Sequence, residues 1–168
     1  DPLRYLLSIN MPESGDSDFS WAEFVRRNNE ELVATYGNLV HRVLSFTYRN
    51  FDGLIPVPAP LNELDQGLLD TARSAMDGVD QNIYNCHFKA AIGQAFSLAR
   101  DANRYLDTRA PWLAIKTDKQ DAATSLWVSM AVINCLKVIL FPFLPFSSQQ
   151  LHVYLGLDGK VEEGTWDF

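Results

Sequence analysis

The sequence contains few of the residues that hold metal ions or form disulfides: its 168 residues include two cysteines and three histidines. Cys86 and Cys135 lie far apart and neither belongs to a Cys-x-x-Cys pair, so neither a zinc site nor a disulfide framework is indicated. We expect both thiols to be buried and structural. The histidines have no Cys or His partner at metal-ligand spacing; they are His41, His87 and His152. The sequence therefore predicts no metal site, and ordinary packed or solvated histidines.

An excess of positive charge is also missing. Lysine and arginine together number 14, against 21 aspartates and glutamates, and the net charge is −7. A protein that grips phosphate backbone over a wide area needs the opposite balance of charge. The composition therefore argues against a DNA partner, and any contact with nucleic acid is expected to be small and local.

Long hydrophobic runs are absent as well. The longest strongly apolar stretch, residues 138–146, is broken by two prolines and is too short to span a bilayer. The first residues do not show the charged and then apolar pattern of a secretion signal. We therefore expect a cytoplasmic protein with no membrane partner. Because the chain begins with Asp1 instead of Met and enters a helical pattern at once, we also expect a piece cut from a longer protein.

Known catalytic motifs do not occur in the sequence. It contains no Gly-x-Ser-x-Gly, no His-Glu-x-x-His, no Walker loop and no Gly-x-Gly-x-x-Gly. Each of these motifs supplies a nucleophile, a metal-bound base or a phosphate cradle. The sequence therefore predicts no catalytic residue within this chain.

Helical periodicity fills most of the chain, and strand-like alternation of useful length does not appear. With 47% hydrophobic and 21% charged residues, the chain can bury one core. We therefore predict an all-α bundle of about five main helices with mostly up-and-down connections, over residues 1–155, and a C-terminal extension of uncertain structure over 156–168. The predicted helices are a short one containing Leu3, Leu6 and Leu7, and longer ones over about 19–51, 61–81, 84–107, 118–141 and 145–155.

The long helix over residues 19–51 has two distinct faces at a period of 3.6. Asn38 and Arg42 are four residues apart, so they point the same way and present an amide beside a guanidinium. That pair can hydrogen-bond to the edge of a base. The apolar face contains Val25, Leu32, Tyr36, Leu39, Val43 and Phe46, and the polar strip contains Glu31, Asn38, Arg42, Ser45 and Arg49.

Trp112 follows Pro111 between two predicted helices, a setting that holds a flat ring at the rim of the bundle. Such a ring is a surface on which an unstacked base can rest. The residues alone leave structural roles open: Asn38 bonding a loop backbone, Arg42 pairing with Glu31 or another carboxylate, and Trp112 packing in the core. Other aromatic side chains on apolar stripes are assigned to packing; they are Tyr5, Trp21, Phe24 and Tyr105.

Five segments, in order, resemble the C-terminal anticodon-binding domain of methionyl-tRNA synthetase. The resemblance covers roughly the first 155 residues, and Pro2 stands where the family more often has a small residue such as alanine. The segments are Asp-Pro-Leu-Arg-Tyr at the start, Asp-x-Asp-Phe-x-Trp-x-x-Phe-x-x-Arg-x-Asn from residue 16, Gly-Asn-Leu-x-x-Arg from residue 37, Asn-Arg-Tyr from residue 103, and Ala-Pro-Trp from residue 110.

The resemblance implies a specific site. In that family the helical bundle binds the CAU anticodon of tRNA(Met), so Asn38 and Arg42 would contact the cytosine edge and Trp112 would stack on its ring. Pro111 would set the angle of the loop, and Asp107 is a further candidate for the same pocket. These residues suit the way proteins read single-stranded RNA, by aromatic stacking and hydrogen bonds to base edges.

The resemblance also implies a parent enzyme, an ATP-dependent methionine–tRNA ligase that uses ATP and magnesium. The class I signature motifs His-Ile-Gly-His and Lys-Met-Ser-Lys-Ser are absent from this chain. We therefore expect the chain to bind no cofactor, to be inactive alone, and to have as partners the tRNA(Met) anticodon loop and the catalytic domain of its parent.

Two other interpretations remain open at this point. The leucine, isoleucine, valine and cysteine enzymes share the same type of bundle, so the chain would also suit another class I synthetase. A helical protein-interaction domain is the second alternative, with Trp112, Trp166 and Phe168 as exposed rings that meet a partner.

Overall fold

The computed structural model describes residues 1–13 and 15–164, and within these ranges it contains helices and no strands. The prediction of an all-α bundle is therefore confirmed. The helices are α1 (Pro2–Ile9), α2 (Trp21–Arg27), a π-helical segment (Asn28–Gly37), α3 (Asn38–Asn50), α4 (Glu63–Tyr84), α5 (Phe88–Arg109), α6 (Pro111–Ala114), α7 (Lys119–Leu140), α8 (Pro145–Tyr154) and a 3₁₀ turn (Val161–Glu163).

The predicted long helix is present, but part of it has π geometry. The backbone stays in the right-handed helical region at both junctions, so α2, the π-helical segment and α3 form one continuous helix. In a π-helix each hydrogen bond spans five residues instead of four, which widens the turn. Gly37 suits the last position, because a Cβ there would lie 3.0 Å from the carbonyl oxygen of Leu32.

The π-helical segment changes which side chains share a face. Val25, which we expected on the apolar face, is exposed. Glu31, which we expected on the polar strip, instead accepts hydrogen bonds from Tyr5 and Arg27. Both expectations were wrong because they assumed a uniform period of 3.6. From Asn38 onward the helix is regular, so the i,i+4 relation of Asn38 to Arg42 holds.

Long helices α4, α5 and α7 pack together, and α1, α3 and α8 add to the same core. Helix α7 has the length of a membrane-crossing helix and contains an 18-residue stretch with a mean hydropathy of 1.7. However, 78% of that stretch is buried in the bundle. A core helix meets those criteria as readily as a membrane helix does. Cys135 lies in this core as predicted, and burial raises the pKa of its thiol to about 12. Cys86, by contrast, is exposed in the turn after α4, so the prediction of its burial was wrong.

The side chain of Asp1 binds the start of helix α8, which is far from it in the sequence. Pro2 occupies the first turn of α1, but the Asp1 side chain does not cap that helix. Its carboxylate accepts hydrogen bonds from the backbone N–H groups of Phe146 and Ser147, at 3.2 and 2.6 Å. Helix α8 has no side-chain cap of its own, so Asp1 supplies the negative charge that a helix N-terminus favours.

Two of the four aromatic residues assigned to packing are in the core. Tyr5 and Tyr105 are buried, and Phe24 is half-buried. Trp21 is 72% exposed and contacts Phe24 edge to face, so its assignment to packing was wrong. It lies at the start of α2, on the part of the long helix that precedes the π-helical segment.

The predicted C-terminal extension packs on α8 through residues 158–161. His152 and Gln149 of α8 contact the backbone of Asp158, Gly159 and Val161. On the inner side of His152 lies Lys137, whose pKa is lowered by burial. Trp166 and Phe168, which we expected to present rings to a partner, lie outside the described residues.

Candidate nucleic-acid interface

The tight turn between α5 and α6 sets the position of Trp112. Helix α5 ends at Arg109, and Ala110 then adopts a left-handed conformation with φ of 40°, which residues other than glycine rarely do. Pro111 starts the short helix α6 with its ring buried, which suits the fixed φ of proline at a first helical position. The Trp112 side chain that follows is half-buried at the surface.

Arg42 of α3 reaches this ring from the neighbouring helix. The carbon at the centre of its guanidinium lies 4.9 Å from the Trp112 ring centroid, which is the geometry of a cation–π contact. Nη2 of the same guanidinium lies 2.6 Å from Oδ1 of Asp107. Arg42 is therefore paired with Asp107 and not with Glu31, and the two sequence-predicted residues that carry charge lie together at the tryptophan.

A fourth side chain, which the sequence did not single out for the site, joins this group. Asn103 lies on α5 one turn before Asp107, and its Oδ1 accepts a hydrogen bond of 3.3 Å from Nη1 of Arg42. The signal that would have found it is the i,i+4 spacing of Asn103 and Asp107, which places both on one side of α5. Arg42 thus has two acceptors, one for each terminal nitrogen.

Of these side chains, Arg42 and Trp112 border a small cleft with a volume of about 180 Å³. Asn38 lies one turn before Arg42, is exposed, and borders a larger apolar groove of about 1540 Å³ next to it. No described residue hydrogen-bonds to the Asn38 side chain, so its amide is available to a ligand. The cleft is lined by His41, Arg42, Ser45, Phe46, Arg49, Leu106, Pro111, Trp112 and Leu126.

A mostly buried polar cluster, consisting of Asp65, Tyr105, Arg109 and Asp121, packs against the end of α5 on the side away from Asp107. Asp65 accepts a hydrogen bond of 2.6 Å from the Tyr105 hydroxyl, and Arg109 contacts the carboxylates of Asp65 and Asp121 at 3.5 and 2.7 Å. Burial, with the hydrogen bond to Asp65, raises the pKa of Tyr105 well above its ordinary value. The cluster ties α5 to α4 and α7 within one turn of Asp107.

The side chains at the cleft offer hydrogen-bond donors and an aromatic face to a ligand. Arg42 has five N–H donors, two of which are engaged by Asn103 and Asp107, and the indole offers an aromatic face. Among residues 1–13 and 15–164, no three His, Cys, Asp or Glu side chains lie close enough together to hold a metal ion. A planar ligand with hydrogen-bond acceptors on one edge suits such a site.

Comparison with known proteins places the chain among tRNA ligases. Residues 1–44 match a family described as tRNA synthetases class I (M). Residues 55–166 match a family described as the anticodon binding domain of methionyl tRNA ligase. The second match covers most of the linker after α3 and all of α4 to α8, including the turn that presents Trp112.

Relatives and solved structures agree with these matches. The methionine–tRNA ligase of Chloroflexus aurantiacus is 49% identical over 161 residues, which are 96% of this chain and 27% of that protein. The one from Dehalococcoides mccartyi strain 195 is 52% identical over 166 residues, 99% of this chain and 30% of that protein.

Among solved structures, the apo form of Mycobacterium tuberculosis methionyl-tRNA synthetase superposes with a TM-score of 0.90 and 27% identity, over 94% of this chain and 32% of that one. This chain thus spans about a third or less of the length of the proteins it matches. It belongs to the methionyl-tRNA ligase family and carries that family's anticodon-binding domain.

Proposed function

We propose that the cleft beside Trp112 reads the first base of the CAU anticodon of tRNA(Met). One observation supports this most directly: the Arg42 guanidinium rests on the Trp112 ring while Asp107 and Asn103 hold its terminal nitrogens. A stacking surface and an oriented set of donors are the two elements by which proteins read a base splayed from single-stranded RNA. The net charge of −7 fits a local contact of this kind.

Cytosine matches the groups that this site offers. Its carbonyl oxygen and ring nitrogen are acceptors, which suit the free N–H donors of Arg42, and its amino group is a donor, which suits the amide oxygen of Asn38. Uracil presents an N–H and a carbonyl where cytosine presents an acceptor and an amino group, so it would oppose donor to donor. In this proposal Trp112 stacks on the base, Pro111 sets the angle of the loop, and Asp107 orients Arg42.

The same proposal covers the parent protein and its organisation. We infer a methionine–tRNA ligase that uses ATP and magnesium, is located in the cytoplasm, and has its catalytic domain outside this chain. The residues present here do not fit ATP or magnesium, because the sequence has no phosphate-binding glycine motif and the described residues contain no metal-binding cluster. In this organisation residues 1–155 form the anticodon-binding unit, residues 156–168 are an extension of it, and the chain alone is inactive.

Of the two alternatives, neither is favoured by a specific observation. Family membership argues against a synthetase for another amino acid. A protein-interaction role for exposed rings depends on Trp166 and Phe168, which lie outside the described residues, and on Trp112, which Arg42 contacts.

Binding of anticodon stem–loops to the full-length ligase tests the proposal. Arg42→Ala and Trp112→Ala should each weaken binding of the CAU stem–loop by about 1 to 3 kcal/mol, the range for a base-edge contact or a stacking side chain. Matched controls are Arg73→Ala and Tyr84→Ala, since both residues are exposed on α4, which contributes no residue to the cleft or the groove. Equal affinities of the wild type and both cleft variants would contradict the proposal.

A further inference from the structure

Asn103 connects the two residues assigned to base reading. Its Oδ1 accepts from Nη1 of Arg42 at 3.3 Å, and its Nδ2 donates to the carbonyl oxygen of Thr35 at 3.1 Å. The same Thr35 oxygen, together with that of Val33, also accepts the backbone N–H of Asn38. One amide on α5 therefore touches the head group of Arg42 and the carbonyl that anchors the backbone of Asn38.

The hydrogen bond from Asn103 to Thr35 lies where the long helix changes from π-helical to α-helical geometry. Thr35 belongs to the last turn of the π-helical segment, and Asn38 is the first residue of α3. Asn103 is itself held on α5 by a second hydrogen bond, 3.0 Å from its Nδ2 to the carbonyl oxygen of Ala99. Since it is half-buried, it is a more constrained anchor than Asp107, whose side chain is 64% exposed.

An exposed ion pair by itself orients an arginine weakly, because water and salt screen it and the side chains remain mobile. Two acceptors on different terminal nitrogens, by contrast, define the plane of the guanidinium. Asp107 supplies one acceptor at the rim and Asn103 supplies the other toward the bundle. The orientation of Arg42 on Trp112 therefore depends on both.

We propose that Asn103 is a positioning residue for recognition of the first anticodon base, acting through Arg42 and through the start of α3. The inference rests on the proposed function. The position requires an amide because the side chain must accept from a cation and donate to two backbone carbonyls at the same time. Aspartate would keep the acceptor but place a negative charge against the carbonyl oxygens of Thr35 and Ala99, and alanine would remove both functions.

The test measures the affinity of the full-length ligase for stem–loops with the anticodons CAU and UAU. Asn103→Ala should reduce the preference for CAU about tenfold, as expected for loss of one charge-assisted hydrogen bond that orients the reader. Asn103→Asp should reduce it similarly, because it cannot donate to Thr35. Because Asn103 acts in part through Arg42, the double variant Asn103→Ala/Arg42→Ala should lose less preference than the sum of the two single losses.

Asn82 on α4 provides a matched control. It is half-buried, donates from its amide nitrogen to the carbonyl of Gly78 four residues before it, and contacts the Gln94 side chain, away from the cleft. Asn82→Ala should leave the CAU preference unchanged. If Asn103→Ala only lowers the melting temperature, weakens both stem–loops equally, or adds its full effect to that of Arg42→Ala, Asn103 has a structural role and the inference is overturned.

Asn103→Asp keeps the test decisive if the alanine variant does not fold, since retention of the wild-type preference by the aspartate variant would also overturn it. Failure of the proposed function gives a different result: Arg42→Ala and Trp112→Ala would then keep the wild-type preference for CAU as well.

Discussion

Arginine–aspartate contacts on opposite sides of the last turn of α5 differ in burial. Asp107 points outward to Arg42, and the side chains are 64% and 26% exposed. Arg109, two residues later and so on the opposite side of the helix, points inward to Asp65, and these side chains are 13% and 1% exposed. The same two residue types therefore occur as an open contact and as a buried one within a single helical turn.

This difference in burial suits the inward contact to stabilising the fold and the outward contact to binding a ligand. Removing one partner of a buried pair leaves a charge that the protein interior cannot solvate, so such a pair is costly to break. An exposed pair is screened by water and exchanges partners at little cost. The inward contact is thus suited to hold the end of α5 in place, and the outward one is suited to give up part of its hydrogen bonding to a base.

Breaking the inward contact should have the largest effect on folding. Arg109→Ala should lower the free energy of unfolding by about 3 to 5 kcal/mol, because Asp65 would keep a buried charge without its cation. Urea denaturation of the 168-residue chain measures this change. Arg104→Ala, which removes the contact of a mostly exposed arginine to Asp101, is the control and should cost less than about 1 kcal/mol. A similar cost for the two variants would remove the distinction drawn here.

The stability of the protein at alkaline pH provides a second test of the buried cluster, because Tyr105 belongs to it. The pKa of its hydroxyl is raised in the folded protein above the ordinary value of about 10, mainly by burial. Above that pH the unfolded chain releases the proton and the folded chain retains it. The free energy of unfolding therefore falls by up to about 1.4 kcal/mol per pH unit for this group.

Tyr105→Phe lacks this contribution, so its stability should decline less between pH 9 and pH 11 than that of the wild type. Urea denaturation across that range checks the slope, and buried Tyr5 and Tyr36 add the same background to both proteins. Parallel slopes for the two proteins would argue that Tyr105 is not held protonated by the cluster.

The outward contact should matter least for stability. Arg42→Ala should change the free energy of unfolding by less than about 1 kcal/mol, because its partner Asp107 is mostly exposed. The same variant is expected to weaken binding of the anticodon, so stability and function separate at this residue. A loss of stability comparable to that of Arg109→Ala would mean that the cleft, too, is part of the scaffold.

Most helices could be predicted from the sequence because periodicity and helix-ending residues act locally. The pattern that predicted a helix from Phe19 to about Phe51 corresponds to the continuous helix from Trp21 to Asn50. The π-helical segment inside it was not predicted, since i→i+5 hydrogen bonding leaves no clear mark in a pattern of apolar residues. The exposed Val25 and the redirected Glu31 follow from that one omission.

The candidate site was predicted in part. The i,i+4 spacing of Asn38 and Arg42 and the Ala-Pro-Trp turn are local features, and the structure brings Arg42 to Trp112 and Asp107. Asn103 was missed as a member of the site because its role depends on partners 61 and 68 residues away in the chain. Asn38 remains a predicted reader; it lies one turn from Arg42 and lines the larger groove, not the cleft.

The sequence by itself determined that the chain is helical, where most helices begin and end, and which short segments resemble a known family, because these properties depend on neighbouring residues. Only the tertiary structure decided which side chains of α3, α5 and α6 meet, and that Arg42 is partly exposed while Arg109 is mostly buried. These contacts depend on how the helices pack against one another. Packing brings together residues that are far apart in the sequence, so a local sequence pattern does not predict which of them will meet.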